Sequence, residues 1–438
     1  MATKKKERGR DRIFPVQKPR GTQDILPREQ KYWEYVLETG KIVLRGWDFR
    51  RIDTPIFEET DLFSRAVGKE TDIVSKELFE LKARGSGARY SLRPEGTAPT
   101  VRAYIEHGMR SWSKPVKLFY VGPLFRYDRP QAGRWRQFHQ LGLEVFGSRA
   151  HVTDVEVMYV VHAILQQLGL EEYTFRVNTL GGTEDRSEYV KVLKEHYRRN
   201  RHRLCRECKQ RLTTNPLRVL DCKEDKCQQV ANTAPRIFDH LTNESKDGFE
   251  RVLAMLEELE VPHETQSSLV RGLDYYTGVV WEVQSKEEEG SQISLAGGGR
   301  YDGLVKELGG RDTPAVGGSI GIERIIERLE NEGIELTTTD APHVFVAQLG
   351  EAAKLAALKI MRNLQESQIN FAESIDREGM EHQLKLASRL GVKWVIIIGQ
   401  KEVLDKSVIL RNMASGMQEV VAQEDLVEEL TRRLSLPE

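Results

Sequence analysis

Phe125-Arg126-Tyr127-Asp128-Arg129-Pro130-Gln131-Ala132-Gly133-Arg134-Trp135-Arg136-Gln137-Phe138-His139-Gln140 is the stretch on which the reading of this chain turns. Strand-like runs at 118–126 and 137–145 flank a loop containing Pro130 and Gly133, so the segment reads as a hairpin of an antiparallel sheet. Arg129, Arg134 and Arg136 join the strand-borne Arg126. Each guanidinium is a planar fork that suits phosphate oxygens, and so many together call for anions. A solvated hairpin with surface ion pairs would also account for the charge. The aromatics set between the arginines favour the first reading, because they offer stacking faces to a base.

Outward from this hairpin the pattern stays α+β. Pro27 opens a helix through about residue 45, with Trp33, Val36, Leu37 and Leu44 on its apolar side. A strand is expected at 49–57, interrupted by Pro55; proline cannot donate to a ladder, which assigns the strand to an edge or an interface. Further strands are expected at 89–93 and 175–179. Between the hairpin and the latter lies a helix from about Thr153, with Met158, Val161, Leu165 and Leu168 on one face and Gly169 at its C-terminal cap. From 183 to 261 charge density rises and strand signals vanish. Strands resume at 279–284 and 292–296, followed by the glycine-rich GGGRYDGL (297–304) and a helix carrying Ile322, Ile325, Ile326 and Leu329. After Gly333 strands alternate with helices: strand 344–347, a helix with Ala357, Ile360, Met361 and Leu364 on one face, strand 370–372, helix 378–390, strand 393–398. That rhythm implies βαβ units and a small parallel or mixed sheet.

The totals set bounds. A chain of 438 residues exceeds one hydrophobic core, and 39% hydrophobic with 30% charged residues is a globular mix. No apolar stretch is long enough for a membrane span and none follows the basic N-terminus, so neither membrane insertion nor a signal peptide is expected. The four cysteines, Cys205, Cys208, Cys222 and Cys227, are too few for a disulfide-built secreted protein, and the cytoplasm is the expected location. The net charge of −1 decides nothing about nucleic acid; local clusters matter more, and two exist, MATKKKERGRDR at the N-terminus and YRRNRHR at 197–203. Each is equally well a solvated tail or helix face.

Neither a Walker A pattern nor a G-x-G-x-x-G fingerprint is present. Two further constellations accompany the arginine hairpin: Val270-Arg271-Gly272-Leu273-Asp274-Tyr275-Tyr276-Thr277-Gly278, and Gly317-Gly318-Ser319-Ile320-Gly321-Ile322-Glu323-Arg324. Taken alone, the first is a strand-entry turn with core tyrosines, and the glycines of the second let a helix start close to another backbone or a ligand. Together the three resemble the class II aminoacyl-tRNA synthetases, and the histidyl-tRNA synthetases in particular. The F-R-x-[DE]…R-x-[FH] hairpin is similar to class II motif 2, G-I-E-R to motif 3, and the helix and strand ending at Pro55 to the dimer-forming motif 1. LVRGLDYYTG and GGGRYDGL resemble the two stretches peculiar to the histidine enzymes, and GTQDILP (21–27) and LRPEGTA (92–98) fit the same family. The resemblance covers about residues 18–438.

Residues 1–17 read as a basic disordered arm from their composition, and the resemblance implies a class II catalytic domain with a mainly antiparallel sheet at 18–182 and 262–333. A helical insertion with the cysteine cluster then occupies 183–261, and an α/β anticodon-binding domain 342–438. It implies activation of L-histidine by ATP to the adenylate, transfer to the 3′ end of tRNA(His), and a homodimer. Arg126 and Arg271 would grip the α-phosphate. Phe138 and Arg324 would sandwich the adenine, and Arg134 or Arg136 would meet the β/γ end. Glu95, Thr97 and Gln140 would hold the α-ammonium group, with Glu144 and Tyr276, beside Tyr275, reading the imidazole. Mg2+ is expected with ATP. Asp128 departs from the usual glutamate, which leaves its own role open. A carboxylate against an imidazole N–H rejects apolar isosteres, so no editing domain is required. The C-x₂-C…C-x₄-C spacing suits either a tetrahedral structural zinc, with no open position, or four unpaired thiols. Two other readings share parts of this pattern. One is the regulatory subunit of ATP phosphoribosyltransferase, which shares the catalytic fold. The other is an RNA-holding module without catalysis. The retained Arg126, Arg271 and Arg324 and the C-terminal α/β segment favour the ligase.

Overall fold

The computed structural model describes residues 16–82, 85, 87–128, 135–285, 294–334, 336, 342–377 and 379–434. Arg129, Arg134, most of the expected basic arm, most of the 334–342 linker and the first part of the expected 292–296 strand lie outside the described residues. The chain divides into two compact units, 1–335 and 336–438.

The strands of the first unit are β1 (Arg50–Arg51), β2 (Phe57–Glu59), β3 (Glu80–Leu81), β4 (Tyr90–Leu92), β5 (Val116–Phe125), β6 (Gln137–Phe146), β7 (Tyr173–Thr179), β8 (His263–Thr265), β9 (Val279–Ser285), β10 (Ser294–Arg300) and β11 (Ala315–Gly321). Eight of them form one sheet in the order β1-β5-β6-β11-β10-β9-β7-β8. Its interior pairs are antiparallel and only the outermost, β1 with β5 and β7 with β8, are parallel. Because side chains alternate across a strand, the sheet has two chemically different faces. One face sends Leu141, Leu143, Val145, Phe175, Val177, Trp281 and Val283 into a core with Trp33, Val36 and Leu44 of the helix Pro27–Gly46. Val157 and Val161 of His151–Gln167 and Ile325 and Leu329 of Ile322–Asn331 complete it. Burying each such side chain contributes ~1.5–3 kcal/mol before conformational entropy is set against it. That face fixes the sheet. Across the opposite face, register places Tyr120, Gly142, Ser319, Gly297 and Glu282 in one row, small and polar instead of apolar.

Two expectations are corrected. The strand at 49–57 is two short strands in different sheets: β1 pairs with β5, whereas β2 joins β4 and β3 in a small separate sheet. Between them Arg93 takes over the carbonyls a ladder would have used, donating to Thr54 O and Oγ1 at 2.9 Å each and to Pro123 O at 3.0 Å. Gly317 and Gly318 do not open a helix. They belong to β11, and the helix begins at Ile322 with Gly321 as its N-cap.

Between β7 and β8 no strand occurs among the described residues; the helices Thr183–Arg199, Arg206–Thr214, Asp225–Ala231 and Asn243–Glu258 fill the interval. Leu204, Leu212, Leu217 and Val219 from this insertion share a core with Val270, Tyr275 and Tyr276. The second unit holds β12 (Val344–Gln348), β13 (Phe371–Glu373), β14 (Trp394–Ile398), β15 (Ser407–Asn412) and β16 (Gln418–Ala422) in the order β13-β12-β14-β15-β16. The first three are mutually parallel and the last two run antiparallel. The β15–β16 hairpin and the helix Leu426–Leu434 extend the βα alternation beyond what the sequence pattern indicated.

Candidate active site

The polar face of the large sheet floors a cavity of about 1030 Å³. Single small-molecule sites span ~300–1,000 Å³, so this volume suits more than one ligand at a time. Of the residues singled out from sequence, Glu95, Thr97, Arg126, Phe138, Gln140, Arg271, Tyr275, Tyr276, Arg324 and Asp128 line it.

Arg271 arrives on the loop leading into β9 and lies along β10. It pairs with Glu282 and stands 5.8 Å from the Tyr276 ring centroid. Gly297 makes this possible: a Cβ there would meet both terminal nitrogens of Arg271 at 2.7 Å. Arg271 is largely buried, and its Nε has no hydrogen-bond partner. A buried guanidinium with unspent donor capacity is expensive unless a ligand completes it. Arg126 directly follows β5, donates through Nε to Pro94 O at 2.9 Å, and sits 5.2 Å from the Phe138 ring centroid. Burial pulls its pKa below the ordinary guanidinium value, against the opposing pull of Glu77 and Glu95. It remains a cation all the same.

Glu95 caps the helix Thr97–Glu106, accepting the Thr97 and Ala98 N–H groups at 2.8 Å each. Burial pushes its carboxyl up in spite of those donors. Glu144 is placed differently from the cavity-lining residues. It is 1% exposed, beneath the floor, accepting from Thr97 Oγ1 at 2.8 Å and from the Tyr301 hydroxyl. Burial pushes its pKa up to about 8, those two hydroxyls notwithstanding. Gly317 provides the space, since a Cβ there would overlap the Glu144 carboxylate. Arg136 is engaged within the protein: its guanidinium lies 4.1 Å from the Tyr127 ring centroid and donates to Asp128 O and Arg20 O. It does not line the cavity.

Tyr120, Glu282 and the wall contributed by the insertion, including Arg211 and Arg218, are not singled out by the sequence reading; Trp135, one of the aromatics between the arginines, and Cys222 of the cysteine quartet also line the cavity. Tyr120 and Glu282 were accessible to that reading, because they continue the alternation of Phe138 and Gln140 across neighbouring strands. Glu323 also lines the cavity and is held by His139, whose N–H meets both carboxylate oxygens at 2.9 Å. The four cysteine sulfurs all lie within 4.8 Å of one another, with Cys205 and Cys222 Sγ 4.0 Å apart. Thiolates 2.3 Å from one zinc stand roughly 3.8 Å apart, so the quartet fits a tetrahedral ion. The Cys205 and Cys208 backbone N–H groups point at Cys227 Sγ and Cys205 Sγ, at 3.1 and 3.3 Å, as donors that favour thiolate charge.

Comparison with known proteins gives a consistent result. A family model described as Histidyl-tRNA synthetase matches residues 21–325, and one described as Anticodon binding domain matches 343–433. A Histidine--tRNA ligase of Dehalococcoides mccartyi is 42% identical over 418 residues, 95% of this chain and all of that one. Its counterpart in Thermosipho melanesiensis is 44% identical over 410 residues, 94% of this chain and 97% of the other. The crystal structure of apo S. aureus histidyl-tRNA synthetase superposes with a TM-score of 0.80 at 36% identity, spanning 95% of this chain and all of that one. With a large, mainly antiparallel sheet, an arginine-lined polar cavity and a separate C-terminal unit, the chain belongs to the histidyl-tRNA synthetase family.

Proposed function

We propose that this chain activates L-histidine with ATP and passes the histidyl group to the 3′ end of tRNA(His). The observation that carries the reading is Arg126 and Arg271 lining one cavity together with Glu95, Gln140, Tyr275 and Tyr276. In the first step a histidine carboxylate oxygen attacks the α-phosphorus of ATP and pyrophosphate leaves. The nucleophile is already ionised, so no general base is needed; the barrier is the approach of two anions. Arg126 and Arg271 neutralise the α-phosphate as charge builds, and a preorganised donor of this kind is worth about 10²–10³ in rate. In the second step a hydroxyl of the terminal tRNA ribose attacks the acyl carbon and AMP leaves. Phe138 and Arg324 hold the adenine. Arg134 or Arg136 meets the β/γ end, Arg136 by leaving Tyr127. Mg2+ bound with ATP would supply further neutralisation of the phosphate charge.

Glu95, Thr97 and Gln140 receive the α-ammonium. Glu144 and Tyr276, flanked by Tyr275, meet the imidazole nitrogens, one hydroxyl donor of Glu144 giving way to the ring N–H. Cys205, Cys208, Cys222 and Cys227 hold a structural Zn2+, and purified protein should contain about one zinc per chain, lost in Cys222→Ser. Ile42 on the helix Pro27–Gly46, Trp47 at its end, and Ile56 and Phe57 at the start of β2 are exposed apolar side chains, which supports a homodimer through this segment. A monomer in sedimentation at micromolar concentration would refute it. Among the described residues no helix is long and apolar enough to cross a membrane. The reaction draws on cytoplasmic ATP and tRNA, and we assign the chain to that compartment. The test of the central reading is histidine-dependent ATP–pyrophosphate exchange by the pure protein; exchange that ignores histidine would refute it.

A further inference from the structure

The two cysteine pairs bracket a finger of chain. Cys205 is the N-cap of the helix Arg206–Thr214, Asn215 follows as its C-cap, the turn Pro216–Val219 reverses direction, and Cys222 returns to the sulfur cluster. The excursion 209–221 is therefore closed at its base by the quartet.

Its outer part reaches two loops of the active site. Asn215 Nδ2 donates to Asp274 Oδ1, and Asp274 lies between Arg271 and Tyr275 in the chain. Arg218 passes close by, since a Cβ on Gly272 would lie 3.2 Å from its Nη1. Arg211 donates to Asp72 Oδ2 at 2.7 Å, and Arg218 Nη2 lies 3.5 Å from the same atom. Asp72 is the N-cap of the turn Ile73–Glu77, and the Glu77 carbonyl accepts the Tyr127 N–H at 2.7 Å. Thus one finger touches the loop bearing Arg271 and, through one intervening turn, the loop that follows Arg126. Arg186, from the preceding helix Thr183–Arg199, adds hydrogen bonds to the Asp274 and Tyr276 carbonyls at 3.2 and 3.1 Å. Arg211, Arg218 and Cys222 also line the catalytic cavity.

We propose that the cysteine centre is a clamp on the active site: by pinning both ends of 209–221 it seats Asn215 on Asp274 and thereby positions Arg271, Tyr275 and Tyr276. Asn215 and Asp274 are positioning residues. A short chain tied at its base has few alternative conformations, so its tip presents its donors in one place. Opening the base releases the tip. Metal occupancy is then coupled to histidine binding, although no cysteine meets the substrate. The inference rests on the ligase and zinc readings given above.

The test uses full-length parent, Asn215→Asp, the swapped pair Asn215→Asp/Asp274→Asn, and Cys222→Ser. Each is measured for zinc content, hydrogen exchange of the 270–278 amides, and kcat and KM for histidine in pyrophosphate exchange. Asn215→Asp sets two carboxylates face to face. It should keep its zinc, lose protection at 270–278, and raise the KM for histidine about ten-fold, as a displaced binding group does. The swapped pair restores one amide facing one carboxylate and should recover most of that loss. Cys222→Ser should lose zinc and protection together. Parent-like protection and KM in Asn215→Asp would overturn the proposal. A swapped pair no better than the single variant would overturn it too, and so would zinc loss that leaves 270–278 protected. Parent protein without histidine-dependent exchange would refute the ligase reading instead, and the amide-exchange measurements would still decide the clamp. Parent protein without zinc would overturn the metal's part in it.

Discussion

Adding one methyl group at Gly297 tests the placement of Arg271 without removing it. The backbone at Gly297 is open to any residue, but the new Cβ would lie 2.7 Å from both terminal nitrogens of Arg271, roughly 0.8 Å short of ordinary van der Waals contact. The flexible side chain should yield before the strand does, carrying the guanidinium off the sheet by about that distance. Displacements near 1 Å in a reacting constellation cost about 10²-fold. Gly297→Ala should therefore lower kcat for histidine-dependent pyrophosphate exchange by about ten- to a hundred-fold. Arg271→Ala, which deletes the donor, should cost about 10²–10³. Overpacking adds ~1–3 kcal/mol of destabilisation, so thermal melts and far-UV circular dichroism must accompany the kinetics. The decisive comparison is the cycle. With Arg271 already alanine, the methyl group has nothing left to displace, and Gly297→Ala should add no further loss. A near-parent rate in Gly297→Ala, or the same fractional loss in both backgrounds, would refute the reasoning.

Three further outcomes follow from the same geometry. The folded pKa of Glu144, about 8, lies above its ordinary value of 4.5, so the folded state binds that proton more tightly. The resulting stability is complete below pH ~4.5 and lost as pH rises through ~8, at no more than ~1.4 kcal/mol per pH unit. Melting temperature measured without ligands from pH 5 to 9 should fall less steeply in Glu144→Gln than in the parent; equal slopes would refute the assignment. Asp154 binds the Arg300 guanidinium through both carboxylate oxygens, and both residues are buried. Asp154→Ala leaves that cation only the more exposed Asp302 as a carboxylate partner, a loss of at most ~3–5 kcal/mol, and should lower Tm by on the order of 5 °C, whereas an unchanged melt would show the pair to be dispensable. Removing the C-terminal unit by stopping near residue 338 should leave pyrophosphate exchange within a few-fold of the parent and raise the KM for tRNA, because a distant second contact adds affinity without touching the chemistry. Full tRNA affinity in the truncated protein would assign that unit another role.

The parts of the fold that sequence disclosed are those governed by local period. The helix Pro27–Gly46 announces itself by Pro27 and its apolar stripe, and the β5–β6 hairpin by two alternating runs around a turn. The strand expected at 49–57 failed because its carbonyls bind the side chain of Arg93, some forty residues away, and no local pattern carries that information. The site shows the same division. Alternation along β6 gives the face on which Gln140 and Glu144 lie, but not depth. Thr97 and Tyr301 cover Glu144 from separate segments, while Gln140 stays open to the cavity. The meeting of Asn215 with Asp274 is likewise a matter of which helix meets which loop. Hydrophobic period is silent on that.

A floor made partly of glycine can be raised but not lowered. Gly96, Gly297 and Gly321 all line the cavity with no side chain to trim. Re-engineering the protein to accept a bulkier amino acid cannot gain room at those three positions. Space must come from larger lining side chains such as Tyr120 on the floor or Tyr275 and Tyr276 beside it, and Tyr120 is already tightly packed: a Cβ on Gly96 would overlap its ring. Smaller side chains are the easier direction only at Gly321, where a Cβ would meet ordinary contacts from 3.5 Å outward; at Gly96 and Gly297 a methyl group would collide with Tyr120 and Arg271. The range of amino acids reachable by point substitution is therefore lopsided, and the side toward which it leans is set by atoms the chain does not have.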